Sequence, residues 1–309
     1  MKYKFYFRIY GLNVQSDIEL PGAMPCSPVA SPDVVLSLGA IPEFIRGSQK
    51  KGYGTWTNGF TSAWFFTPNA AEFYVEQGNK VTISPIENPN WDLISSLFLS
   101  AGMCLILLQR NEPVFHGSAL EYKGKAFIVS GDSGAGKSSV SFELMKKPYG
   151  FLADDTVRVH NVNGTFMVEP SYPQQKVCRD MALRMGLQLE KLRYIDEERD
   201  KFAKMCVDRY LTQGVPLKAM IILRKDPQAQ EVYFRELSGQ DYVESMTNAF
   251  YLAMTYQNIV GFPAELMMQL IAMASQIKVF SVCRPAAGNT LQAVTDLVEH
   301  LVTQAIEES

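Results

Sequence analysis

One stretch of eight residues has the types and spacing needed to bind a phosphate group. It is Gly131-Asp132-Ser133-Gly134-Ala135-Gly136-Lys137-Ser138, which fits the pattern G-x-x-x-x-G-K-[ST]. Glycines let the backbone wrap closely around an anion, because a Cβ would collide with it. Successive N–H groups at a helix start then point at the phosphates. The lysine supplies positive charge for the β- and γ-phosphate oxygens, and the Ser138 hydroxyl is placed to ligate Mg²⁺.

The sequence on either side of this loop predicts the structural elements that position it. Lys125–Ser130 is a short apolar run typical of a buried strand, and Ser139–Met145 is predicted to form the first turns of a helix. A strand, a glycine-rich loop and a helix in that order form the context that the motif requires. We include Ser139 among the predicted nucleotide-binding residues. An Asn-Lys-x-Asp motif is absent, so nothing in the sequence favours a guanine nucleotide.

A pair of carboxylates follows the loop closely. Asp154 and Asp155 come 17 and 18 residues after Lys137 and end the apolar run Gly150–Ala153, which predicts a strand end beside the loop. One carboxylate can hold Mg²⁺, and the other can accept the proton of a substrate hydroxyl. A solvated Asp-Asp turn is the alternative, and the intact loop upstream favours the catalytic interpretation.

A third candidate precedes the loop. His116 stands 15 residues before Gly131, in Phe115-His116-Gly117-Ser118-Ala119. A single histidine near a strand is usually a hydrogen-bonded structural residue, so His116 alone predicts little.

Composition excludes several classes of partner. The 309 residues are 47% hydrophobic and 20% charged, with a net charge of −3 and a pI near 5.7. Such a chain has ample core and no excess of positive charge, so we expect neither nucleic acid nor a membrane as partner. The five cysteines are scattered without a C-x-x-C pair, which predicts buried thiols in a reducing compartment. The start lacks the apolar core of a signal peptide, and we expect a cytoplasmic protein.

The chain divides by composition near Asn88-Pro89-Asn90. Residues 1–88 are predicted to be β-rich, with short apolar runs such as Val34–Leu38 and Lys80–Ser84. This half either recognises a partner or covers the rest of the protein. Trp91–Leu108 is apolar almost throughout, and we expect a buried helix rather than a membrane span.

After this apolar segment the pattern becomes that of an α/β protein. Residues 179–193 and 196–211 are predicted to be helical, the second less clearly than the first.

Together, these residues resemble the catalytic domain of the HPr kinase/phosphorylase family. The resemblance covers about residues 112–225 and rests on His116-Gly117-Ser118, the step of 15 residues to the loop, and Leu152-Ala153-Asp154-Asp155-Thr156-Val157. It implies a fold shared with phosphoenolpyruvate carboxykinase-type kinases, ATP and Mg²⁺ as cofactors, and phosphoryl transfer to a serine hydroxyl. By the resemblance, Asp154 is the base, Asp155 supports the metal or the site, and His116 lies near the transferred phosphate.

The sequence also departs from the HPr kinases. It lacks their Leu-Glu-Ile-Arg-Gly-Leu-Gly signature with its metal-binding glutamate, and Asp180 is the carboxylate available in that region. The opening, Tyr10 to Pro21, is similar instead to the HPr-kinase-like enzymes of peptide natural-product clusters, including lasso-peptide precursor kinases. The segment Asp196–Phe202 also looks like one from that group. Arg199 and Lys201 in it could contact phosphate or acceptor, or simply form a charged helix face.

The sequence therefore predicts a mixed α/β (α+β) protein with two domains. Residues 1–88 form an accessory or recognition domain, and residues 89–309 form a P-loop kinase domain of the HPr kinase and phosphoenolpyruvate carboxykinase type. The predicted activity is that of an ATP- and Mg²⁺-dependent serine kinase acting on a ribosomally made precursor peptide or a small protein. The rivals are an authentic HPr kinase, a small-molecule hydroxyl kinase and a nucleotide-binding protein without catalysis. The sequence leaves open whether the protein forms a homo-oligomer.

Replacing Lys137 with alanine tests the loop. The change removes the ammonium that stabilises the β- and γ-phosphates, so phosphoryl transfer should fall by at least about 10²-fold. A variant that transfers phosphate at a near-normal rate would contradict the interpretation of Gly131–Ser138 as a phosphate-binding loop.

Overall fold

The computed structural model describes residues 4–46, 55–59, 61–196, 199–251 and 262–308. Contacts along the backbone divide the chain into two units. Within the described residues, the first unit comprises Met1–Glu112 and Tyr172–Met205; the second comprises Pro113–Ser171, Cys206–Gln257 and Phe262–Ser309. The middle of the chain thus alternates between the two units.

The first unit contains a sheet of eight strands in the order β3-β1-β2-β4-β8-β7-β6-β5. The strands β2, β4 and β8 pair in parallel, and the others pair antiparallel. Alternating burial along β2 reflects one face turned to the core. The strands are β1 (Phe5–Ile9), β2 (Leu12–Ser16), β3 (Met24–Pro25), β4 (Val34–Leu38), β5 (Thr55–Asn58), β6 (Ser62–Thr67), β7 (Ala71–Glu76) and β8 (Lys80–Pro85). A short helix, α1 (Glu43–Arg46), follows β4.

The apolar segment after this sheet is helical, as predicted. It consists of α2 (Trp91–Leu97), a π-helical turn (Phe98–Gly102) and α3 (Met103–Gln109). Asn90 caps its start by accepting a hydrogen bond from the N–H of Leu93 at 3.0 Å. The Tyr10 hydroxyl donates to the carbonyl of Leu99 within the π turn at 3.0 Å.

This is the one described helix long and apolar enough to cross a membrane. However, 78% of its most apolar stretch of 18 residues is buried inside the structure. A core helix of a soluble protein passes the same test of length and composition, so the segment is only weak evidence for a membrane span.

The rest of the first unit is a sheet of three antiparallel strands in the order β14-β16-β15. The strands are β14 (Gln174–Cys178), β15 (Arg193–Asp196) and β16 (Lys201–Met205), and α5 (Arg179–Arg184) follows β14. The prediction of a helix over 196–211 is wrong in the described part, and the helix predicted over 179–193 ends at Arg184. Phe202 pairs with both Val177 and Tyr194, and this tertiary pairing overrides the local charge pattern that suggested a helix. Glu197 and Glu198 lie outside the described residues.

The second unit is built on a sheet in the order β10-β9-β12-β13-β17-β19-β18, with β11 also paired to β9. Because β10 also pairs with β17, the strands β10, β9, β12, β13 and β17 form a closed ring of pairings. The strands are β9 (Val114–Tyr122), β10 (Lys125–Gly131), β11 (Gly150–Ala153), β12 (Thr156–Val162), β13 (Thr165–Glu169), β17 (Val215–Asp226), β18 (Tyr233–Glu236) and β19 (Lys278–Pro285).

Three neighbouring strands of this sheet, β10, β17 and β19, run parallel. Their carboxyl ends meet at one edge, which is where open α/β sheets place their ligands. The helices α4 (Lys137–Met145) and α8 (Leu291–Glu307) contribute Val140, Leu144, Val298 and Leu301 to one buried cluster with β10 and β17. Two further α-helices of this unit lie in the described residues, α6 (Gly239–Asn248) and α7 (Ala264–Met273).

The architecture confirms the predicted mixture of helices and many strands. The two contact units group the segments differently from the predicted division at residue 88, since residues 89–112 and 172–205 belong with the N-terminal sheet. The predicted division at residue 88, with the roles assigned to its two parts, stays a prediction.

Candidate functional site

The glycine-rich stretch connects β10 to α4, as the sequence predicts. Gly131 ends β10 with φ = +130°, and a Cβ built there would lie 2.1 Å from the carbonyl oxygen of Leu223 in β17. Only glycine fits such an approach. Gly134 and Gly136 have φ of +71° and +111°, the left-handed conformations that make consecutive amides converge on an anion. Between them, Ala135 is buried in the core cluster and anchors the loop.

Lys137 is held across the loop it follows. Its Nζ donates to the carbonyl oxygens of Gly131 at 2.8 Å and Asp132 at 3.0 Å. The ammonium is therefore bound to the backbone of the first two residues of the loop. Ser138 and Ser139 follow in the first turn of α4 and are partly buried.

A close contact between two strands brings β9 to the loop. A Cβ at Gly117 would lie 2.5 Å from the carbonyl oxygen of Val129 in β10, so glycine permits this pairing. On β9, His116 and Ser118 flank Gly117, and His116 pairs with Thr156 of β12. The strand β9 thereby lies between β10, which leads into the loop, and β12, which follows the aspartate pair.

Asp154 is a buried carboxylate, with only 4% of the residue exposed. The Ser118 hydroxyl donates to its Oδ1 at 2.5 Å, and the N–H of Thr156 donates to its backbone carbonyl at 2.8 Å. A buried carboxyl group needs hydrogen bonds to offset its lost hydration, and the Ser118 hydroxyl supplies one to this side chain. The Asp154 carboxylate is therefore held in orientation against β9, the strand that carries Ser118 and His116.

Asp155 has a backbone conformation that is uncommon for a residue with a side chain, with φ = +69°. Its carbonyl oxygen lies 2.9 Å from His116 Nδ1 and accepts from the N–H of Gly117 at 3.3 Å. Because a carbonyl can only accept, Nδ1 is the donor in this contact. His116 Nδ1 is also 3.7 Å from Asp155 Oδ1. Aspartate tolerates a positive φ better than most residues. Residues with such strained backbone angles are found most often at functional sites.

Three basic residues at the same sheet edge were not among the predicted site residues. Arg224 and Lys225 lie near the carboxyl end of β17, and Arg284 lies opposite Lys225 in β19. Arg284 donates to the loop carbonyl of Ala135 at 3.0 Å. The sequence signal that could have found these residues is a basic residue after the apolar run of β17 and of β19.

Three other predicted residues belong to the first unit. The carboxylate of Asp180 lies 3.9 Å from the guanidinium of Arg184 and is largely exposed. Arg199 is exposed and its N–H donates to Asp196 Oδ1 at 3.0 Å. Lys201 begins β16. Over the ranges that the structure describes, no group of three His, Cys, Asp or Glu side chains gathers as a ready-made metal site. The metal and acceptor roles of these three residues stay predictions.

Comparison with known proteins places the similarity on the segment that carries this site. Residues 109–190 match the family model for the HPr Serine kinase C-terminal domain. The chain is 32% identical over 108 residues to the HPr kinase/phosphorylase of Nitrosomonas europaea, covering 34% of this chain and 32% of that protein. It is 33% identical over 86 residues to the HPr kinase/phosphorylase of Clostridium kluyveri, covering 26% and 28%. This segment is therefore HPr-kinase-like.

The similarity is local. The matched segments span about a third or less of the curated relatives named above. The structure of the HPr(Ser) kinase/phosphatase from Coxiella burnetii aligns over 62% of this chain and 97% of that chain, with 12% identity and a TM-score of 0.33. A TM-score this low does not establish a shared fold.

Replacing Ser118 with alanine tests whether the Ser118 hydroxyl stabilises a negatively charged Asp154. Ser118 donates to a carboxylate, and a hydrogen bond to a charged group contributes about 1.5–3 kcal/mol. Ser130 is the matched control, because it is equally buried and its hydroxyl donates to the neutral carbonyl of His116 at 2.7 Å. Ser130→Ala should cost about 0.5–1.5 kcal/mol. Denaturant unfolding measures both losses, and a Ser118→Ala loss no larger than the control would contradict a charged Asp154.

Proposed function

We propose that this protein is an ATP- and Mg²⁺-dependent kinase that phosphorylates a serine hydroxyl on a protein or peptide. The observation that carries the proposal is the pairing of a glycine-rich phosphate loop with a buried carboxylate on the same sheet. Asp154 is held by Ser118 on β9, and β9 pairs with the strand β10 that leads into the loop. Such an arrangement suits transfer of a phosphoryl group to a hydroxyl.

The loop fits the phosphates of a nucleotide on its own geometry. Gly134 and Gly136 take the left-handed conformations that a phosphate-binding loop uses, and the Lys137 ammonium is bound to the loop's first carbonyl. When bound, ATP supplies the phosphoryl group, and Mg²⁺ neutralises its charge. Ser138 and one carboxylate of the aspartate pair, Asp155 in this proposal, would hold the metal.

The chain's own residues would divide the work. Asp154, whose Oδ1 accepts from Ser118, is the carboxylate proposed to accept the proton of the acceptor hydroxyl. Lys137 and the loop amides stabilise negative charge as the phosphoryl group moves. His116 is anchored through Nδ1, so its Nε2 is the nitrogen that could contact the transferred group.

The identity of the acceptor, the molecule that carries the serine, is the more specific part of the proposal. Similarity to proteins named HPr kinase/phosphorylase supports an HPr-type protein acceptor. The missing Leu-Glu-Ile-Arg-Gly-Leu-Gly signature and the opening Tyr10–Pro21 support a precursor peptide instead. The comparisons favour the first, and both acceptors present a serine on a polypeptide. A cytoplasmic location accords with either.

A panel of acceptors tests the proposal. The protein is incubated with ATP and Mg²⁺ and an HPr protein, a candidate precursor peptide, or free metabolite alcohols, and phosphoserine is measured by mass spectrometry. We expect phosphorylation of a polypeptide serine that disappears when that serine is replaced by alanine. Transfer only to metabolites would show a small-molecule kinase. Nucleotide binding without any transfer would show a binding protein and contradict the proposed catalysis.

Substituting each aspartate separates base from metal ligand. Asp154→Asn keeps shape but removes basicity, so nucleotide affinity should survive while turnover falls by roughly 10²–10⁴-fold. Asp155→Asn should be relieved by raising Mg²⁺, because binding is then driven by mass action. Nucleotide affinity and turnover are measured for both variants across a Mg²⁺ titration. If raised Mg²⁺ rescues only Asp154→Asn, then Asp154 holds the metal and Asp155 is the base. If both variants keep full activity, neither aspartate is the base and the proposed mechanism is wrong.

A further inference from the structure

Arg284 contacts the phosphate loop from the side of its carbonyls. It lies near the end of β19, two strands away from β10 in the sheet, and its guanidinium reaches across to the loop. Its Nε donates to the carbonyl oxygen of Ala135 at 3.0 Å, and its Nη2 donates to that of Gly134 at 3.3 Å. Its Nη1 donates to the carbonyl of Pro285 at 3.0 Å, which fixes the guanidinium against its own strand. All three nitrogens of the planar group are thus used.

Holding these carbonyls also sets the direction of the amides. In a trans peptide the C=O and the following N–H point in opposite directions. Since the carbonyl of Ala135 points at Arg284, the N–H of Gly136 points to the opposite side of the loop. The carbonyl of Gly134 is fixed in the same way, and the N–H of Ala135 in that peptide donates to the carbonyl of Asp132 at 3.1 Å, which closes the turn. Arg284 therefore orients two consecutive peptide planes of the loop.

Because the loop contains two flexible glycines, the orientation of its peptide planes depends on a contact from outside the loop. Gly134 and Gly136 have positive φ, and glycine populates many backbone conformations at similar energy. Without a partner for the carbonyls, these peptides could rotate. The methyl group of Ala135 is buried in the core cluster and fixes the position of the loop, but a methyl group does not fix the rotation of a peptide plane.

We propose that Arg284 is a positioning residue that presents the amide of Gly136 to the nucleotide phosphates, and that it acts through the backbone of the loop. The inference rests on the proposed function, because it names a further residue of the same nucleotide site. Its positive charge at the sheet edge adds to that of Lys137 and Lys225, whose Nζ lies near Gly134. Arginine suits the role, since its rigid fork of donors serves several acceptors at once, whereas lysine is a single point charge.

The test compares Arg284→Lys, which keeps the charge but not the fork, with Arg284→Gln, which loses both. Arg235→Lys is the matched control. Arg235 lies on the neighbouring strand β18, its side chain is 62% exposed, and its guanidinium is 3.7 Å from Asp241. Hydrogen exchange of the amides in the loop is measured without nucleotide. ATP affinity, the KM for each substrate and thermal unfolding are measured on the same proteins.

We expect both Arg284 variants to exchange the loop amides about tenfold faster and to bind ATP about tenfold more weakly, the scale of one lost charge-assisted hydrogen bond. The KM for ATP should rise, while the KM for the acceptor and the thermal unfolding temperature stay close to those of Arg235→Lys. Unchanged exchange and unchanged ATP affinity would overturn the inference. A large fall in the unfolding temperature with equal losses for both substrates would also overturn it, by showing a structural role.

Failure of the proposed function is recognised separately. If the unsubstituted protein binds no ATP, the proposed kinase activity is wrong, and the inference about phosphate presentation fails with it. If the unsubstituted protein binds ATP and the Arg284 variants bind equally well, only the role of Arg284 is wrong. The exchange measurement decides in every case whether Arg284 orders the loop.

Discussion

The site depends on how closely two strands approach where the phosphate loop begins. At Gly131 the backbone of β10 lies so near Leu223 of β17 that a Cβ would sit 2.1 Å from its carbonyl oxygen. The N–H of Asp132 donates to that same oxygen at 3.3 Å, so the first turn of the loop is tied to β17. A second close approach, at Gly117, brings β9 against β10 and with it the side chains of His116 and Ser118. Two glycines thus set the spacing on which the candidate chemistry rests.

Around that spacing, polar groups restrict one another's freedom. Asp154 is buried yet hydrogen-bonded, His116 is anchored to the carbonyl of Asp155, and Lys137 folds over the loop carbonyls. A site pre-ordered in this way loses little entropy when it binds, which is how enzymes use positioning and electrostatics together. The HPr-kinase-like similarity falls on residues 109–190, which hold all of these groups.

Sequence patterns predicted the parts of the site that a local motif encodes. The loop, its strand and its helix follow from residue spacing, and Asp154 stands at a strand end because an apolar run precedes it. Arg284 could not be predicted in the same way, since it stands 149 residues from Ala135 and meets it only through the parallel pairing of β17 and β19. Long-range strand pairing likewise turned Lys201–Met205, which local charges suggested to be helical, into the centre of a small sheet.

The closed ring of strand pairings limits the order in which the segments of the chain can fold during synthesis. Strand β10 needs β17, which ends at Asp226, as its parallel neighbour. A ribosome that has made only the loop and α4 has therefore made a segment without its supporting strand, and residues 172–205 must emerge before β17 does. Pairings between such distant segments form slowly. The nascent chain would expose apolar strand edges until β17 arrives, which is the period when chaperones would act on it.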